Sequence, residues 1–142
     1  MTPYPVLRIT TKYLVPPIML FALYVLFHGD YGAGGGFQAG VIFGAAFTLY
    51  GIVFDTDLAE RVVPPPVLCG FACLGVLIYA GVGLVNLLLG GHYLEYAVFD
   101  RWGLTQGAAQ QLGIMLVEVG VGLTVAAVMI TIFLAFARRE RQ

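Results

Sequence analysis

Four apolar stretches, separated only by short polar breaks, limit what this chain can fold into more than any other feature. They cover approximately residues 12–28, 35–54, 67–89 and 110–137. An α-helix rises 1.5 Å per residue, so about 20 residues cross a bilayer core of ~30 Å. Inside hydrocarbon every backbone N–H and C=O needs an internal partner, which leaves helices for runs of this kind. The expected fold is therefore all-α: one integral membrane domain over residues 1–142, with four transmembrane helices. Composition agrees. The chain is 60% hydrophobic and 11% charged, whereas a soluble domain needs about 25% charged residues to cover its surface.

The first run, from Tyr13 to Phe27, is short for a span, and Thr10 and Thr11 can extend it. Pro16-Pro17 near its start fits a first helical turn. The second run ends at Asp55 and Asp57, the third follows Pro64-Pro65-Pro66, and the fourth stops at Arg138, Arg139 and Arg141. With four spans, both termini and the 55–66 connection share a side, which holds Arg8, Lys12, Arg61, Arg138, Arg139 and Arg141. The other side holds only Arg101. This bias predicts cytoplasmic N- and C-termini in a multi-pass protein of the cell (inner) membrane. On the far side Tyr93, Tyr96, Phe99 and Trp102 read as an interfacial aromatic belt. No A-x-A-like cleavage site follows the first run, so no cleavable leader is expected. The net charge of −1, with no basic stripe, gives no ground for a nucleic-acid partner.

The most informative segment is His28-Gly-Asp-Tyr-Gly-Ala-Gly-Gly-Gly-Phe-Gln-Ala-Gly40. It lacks the strand and the Lys-Ser/Thr ending of a phosphate loop. Its glycines suit a tight reversal and close backbone approach. Gly36, Gly40 and Gly44 form a small-residue stripe, a helix-packing groove in lipid. A second reading is unwound backbone at membrane depth, with Gln38 facing an ion path. Glu118 is the one charge within the fourth run, some six residues or roughly 9 Å from its outer end. A carboxylate there costs on the order of 2.5–3.5 kcal/mol on insertion scales. Such a residue either carries a proton or cation, or docks a neighbouring helix by hydrogen bonding. His28 is a candidate proton relay, against the simpler reading of a solvated helix-end imidazole.

Other polar residues read more plainly. Asn86 suits an interhelical hydrogen bond near the outer surface. Asp55, Asp57, Glu60 and Arg61 read as a solvated loop. Cys69 and Cys73 lack a nearby His or acidic residue to complete a metal site, and read as small apolar packing residues. No nucleophile–base–orienter arrangement and no histidine pair at metal spacing occurs, so neither an enzyme nor a cofactor is expected.

The run from His28 to Ile42 resembles the signature of the small B subunit of Mrp/Mnh-type multisubunit cation/proton antiporters. The likeness continues through Leu77-Ile-Tyr-Ala-Gly-Val-Gly, Leu88-Leu-Gly-Gly-His-Tyr-Leu-Glu-Tyr and Leu116-Val-Glu-Val-Gly-Val-Gly. One departure is Ala33, where the family usually has proline. The resemblance implies an accessory membrane subunit that helps assemble the complex and lines a Na+ or H+ path. Its partners would be the other integral subunits, large antiporter-like ones among them, and membrane lipid. The resemblance points to Gly34, Gly35, Gly36 and Phe37 for the interface and to Glu118 for the ion. Two other readings stay open: a self-sufficient homodimeric four-helix transporter, and a structural subunit of a redox-driven membrane complex.

Overall fold

The computed structural model describes residues 4–29, 34–96 and 106–139. Five helices follow in order: α1 (Pro5–His28), α2 (Gly36–Phe54), α3 (Thr56–Val62), α4 (Pro65–Leu88) and α5 (Gln106–Arg139). All but α3 are long and apolar enough to cross a membrane, and no strand occurs among the described residues. The fold is all-α and polytopic, with four transmembrane helices. Most large apolar side chains point away from the protein interior. Leu20, Leu77 and Leu88, for example, are 69%, 66% and 82% exposed. Such a surface suits hydrocarbon and not water.

One helix start departs from the sequence reading. α1 begins at Pro5, and Pro16 and Pro17 lie in its interior and not in its first turn. They remove two backbone donors, yet the helix continues. In lipid, keeping the remaining ladder is worth more than breaking it. The first-turn place is taken by Pro5, and in α4 by Pro65 and Pro66. α5 begins at Gln106, and its 34 residues make a helix about 51 Å long.

The segment after α2 is a seven-residue helix and not a solvated loop. Its Ala59 is fully buried in a cluster with Phe47, Leu68, Ala127, Ile130 and Leu134. Glu60 holds Arg138 of α5 in a two-pronged ion pair, Nε and Nη2 donating to Oε1 and Oε2 at 2.5 and 2.6 Å. Asp55, which joins α2 to α3, has φ +110°, a conformation that side-chain-bearing residues rarely adopt. Its N–H donates to the Gly51 carbonyl, and its own carbonyl accepts from Ala59 N–H.

The main packing interfaces are α1–α2, α2–α5 and α5–α4, so the long helices stand in the row α1, α2, α5, α4. α5 is flanked on both sides. An apolar groove of about 490 Å3 opens over the middle of the row, lined by Leu23, Phe43, Phe47, Phe71 and Leu123 among others. Beyond α4 the chain folds back. The Tyr93 ring sits against Gly83 and the Tyr96 ring against Gly113. Two of the far-side aromatics are therefore packing residues. Burial first, with Tyr79 and Tyr93 adding to it, raises the Tyr96 phenol above its ordinary value and keeps it neutral. Phe99, Asp100, Arg101 and Trp102 lie outside the described residues.

Candidate functional site

The site is built on helix contacts so close that only glycine fits them. On one side of α5, a Cβ on Gly36 would fall on the Glu118 carbonyl. A Cβ on Gly40 would lie 2.6 Å from the Gly122 carbonyl, and one on Gly44 would lie 3.1 Å from Met129 Cβ. These three pairs put α2 and α5 parallel and in register. On the other side, Gly75 of α4 meets Gly120 and Thr124. The Thr124 hydroxyl donates to the Gly120 carbonyl at 2.9 Å, with the Ala72 carbonyl of α4 at 3.4 Å. α5 therefore carries glycines on two faces. Gly122 serves the α2 seam and Gly120 the α4 seam.

Glu118 is half-buried where the α2 seam meets the turn after α1. A Cβ on Gly29 would stand 2.6 and 2.7 Å from its two carboxylate oxygens, and one on Gly35 would stand 3.1 Å from Oε1. The carboxylate thus lies between the first residue past α1 and the start of α2. Gly35 is fixed at φ +129°, which a side chain would disfavour, and its N–H donates to the Val25 carbonyl at 3.2 Å. Gly34 closes on the same carbonyl: its Cβ would lie 2.7 Å away. The turn is thereby folded onto the end of α1 and presents backbone to the glutamate.

Along α5 the helix rises about 18 Å from residue 106 to residue 118. Because Glu118 meets Gly36, it is level with the α1–α2 turn, and α5 projects well past that turn.

The remaining candidates divide. His28 ends α1, next to Gly29 of the cradle, half-buried and stacked on Tyr24 with ring centroids 5.1 Å apart. Gly36, Gly40 and Gly44 lie in the seam as a packing stripe. Phe37 and Gln38 face outward from α2 and are exposed. Gln38 is not brought to Glu118 through the seam. Ala33 and Asp30 lie outside the described residues. Gly29 is the site residue that sequence reasoning missed; its only sequence signal was its position beside His28.

Two further expectations fail. Asn86 makes no interhelical hydrogen bond: its side chain is fully buried and both amide atoms lack a partner. Cys69 and Cys73 are free and exposed on α4, not packed within the chain.

Chemically, the first N–H groups of a helix lack intrahelical partners and form the positive end of its dipole. A carboxylate beside Gly35 and Gly36 is favoured by that end when charged. Among the described residues no group of three His, Cys, Asp or Glu side chains could hold a metal ion.

Fold and site together define a class: a small multi-pass membrane protein whose helices close through glycine seams around one carboxylate. Comparison with known proteins narrows it. The profile of the family described as "Domain related to MnhB subunit of Na+/H+ antiporter" matches residues 6–131, and the chain belongs to that family. It is 33% identical to a Staphylococcus haemolyticus protein named as antiporter subunit mnhB2, over 93% of both chains. Similarly named proteins of Staphylococcus epidermidis and Staphylococcus aureus are 30% and 29% identical, again over 93% of each chain.

Proposed function

We propose that this chain is an accessory membrane subunit of a multisubunit Na+/H+ antiporter, a transporter component and not an enzyme. Membership of the family over nearly the whole chain carries that reading. It works in the cell (inner) membrane with both termini cytoplasmic, as the basic residues at one end of the helix row favour. Its partners are the other integral subunits, large antiporter-like ones included. The glycine seams hold α2, α5 and α4 as one rigid unit on which those subunits assemble. Phe37 and Gln38, exposed at the start of α2, belong to the surface offered to them.

Within that unit Glu118 is the residue that takes up a proton or a cation. The observation behind this role is its placement, half-buried, at the α1–α2 turn against Gly29 and Gly35, with His28 adjoining. Na+ and H+ compete for the same carboxylate, so loading one displaces the other. The test is cation/proton exchange by the assembled complex in vesicles, followed across pH. Glu118→Gln is expected to lower exchange at least tenfold, or about 1.4 kcal/mol, and to flatten its pH dependence. Glu118→Asp should retain part of both. Unchanged exchange in Glu118→Gln, with the complex intact, would leave the glutamate a purely structural role.

A further inference from the structure

A second site lies at the opposite end of the row, where α1, α2 and α5 reach the basic face of the membrane. A cavity of about 510 Å3 opens there, with Arg8, Ile52, Phe54, Asp55, Thr56 and Phe133 among its walls. Arg8 is held over the Phe54 ring, its guanidinium carbon 5.6 Å from the ring centroid. Among the described residues it makes no ion pair: the basic partner of Glu60 is Arg138. Asp55 supplies a carboxylate on the same cavity wall, and the Thr56 hydroxyl is 3.4 Å from its Oδ1. Ile52 is 67% exposed on the bilayer side of α2.

We propose that this cavity binds one phospholipid with a phosphoethanolamine head group, its phosphodiester on Arg8, its amine towards Asp55 and its acyl chains along Ile52 and Phe133. The ligand's chemistry follows from the walls. A planar guanidinium matches phosphate oxygens in pairs. One cation and one carboxylate facing the same space leave it near neutral. A zwitterion offers each group an opposite charge, whereas an anionic phosphoglycerol head group sets its charge against Asp55. The exposed Ile52 and the Phe133 ring give the cavity an apolar side next to its charged groups, the arrangement a head group with acyl chains requires. The site does not depend on the antiporter reading.

The test uses the assembled complex in nanodiscs with photoactivatable phosphatidylethanolamine or phosphatidylglycerol analogues of identical acyl chains. Labelled peptides of this chain are then mapped. The ethanolamine lipid is expected to label the peptides holding Ile52–Thr56 and Phe133–Ala137 about fivefold more than the glycerol lipid, the effect of one charge contact. Arg8→Gln should lower that labelling by a similar factor. Asp55→Asn should keep the phosphate anchor and bring the two lipids level, a result that loss of folding cannot mimic. Excess inorganic phosphate should leave the label in place, because the acyl chains hold the lipid. Equal labelling by both lipids in the unmodified complex, unchanged labelling in Arg8→Gln, or full displacement by inorganic phosphate would each overturn the proposal.

Discussion

At the scale of single residues, Glu118 and Asn86 pose the same problem and meet it differently. Both are polar groups within apolar helices, where an unsatisfied group is costly. Glu118 lies against glycine backbone at a helix start. Asn86 lies fully buried on α4, one turn on from Val82, with its amide unpartnered. A buried donor and acceptor left unmade cost about 1–3 kcal/mol. An apolar side chain of similar shape removes that cost. Asn86→Leu is therefore expected to leave the thermal stability of the purified complex unchanged, or to raise it by up to about 2 kcal/mol. A clear drop in melting temperature would mean that the amide has a partner in the assembled protein. Glu118 was legible in the sequence because one charge in an apolar run has no other context. The isolation of Asn86 was not: whether an amide finds a partner depends on a neighbouring helix face that spacing along one helix does not reveal. Gly29 escaped notice for the same reason, since its contact is with a residue far along the chain.

Among elements, the glycines sort by what a methyl group would meet. At Gly36 it would strike the Glu118 backbone, which cannot swing aside. At Gly81 and Gly70 of α4 there is nothing within 4 Å. Gly36→Ala is expected to destabilise the complex by about 1–3 kcal/mol through overpacking. Gly81→Ala should be neutral, or stabilising by up to about 1 kcal/mol through its better helix propensity. Melting curves of the two variants side by side decide the matter, and equal behaviour would contradict the seam. The Gly36-Gly40-Gly44 stripe announced this packing in the sequence, but not which helix it would meet. The match with α5 needs Gly122 and the parallel register. α3 was not legible: its seven residues carry Asp57, Glu60 and Arg61, the charge pattern of a loop. Only the burial of Ala59 and the reach of Arg138 make it a helix with a packed face.

For the molecule as a whole, the helix row leaves most apolar surface outward and an open groove across its middle. The four spans were readable directly from hydropathy, because the bilayer imposes both length and polarity on each helix. What the row assembles with is carried by family membership and not by any single contact. α5 runs beyond the α1–α2 turn on one face, and α3 seals the other, so the two ends of the row are structurally distinct. An accessory subunit fits this form: rigid along its seams, apolar around its rim, with the Glu118 carboxylate at the level of the turn. A self-sufficient transporter would have to complete an ion path from two copies of the same row. Gentle detergent extraction of the tagged chain, with identification of the proteins that accompany it, separates the two most directly. The account predicts large polytopic antiporter subunits in fixed proportion to the chain. A homodimer alone that exchanges Na+ for H+ in vesicles would contradict it.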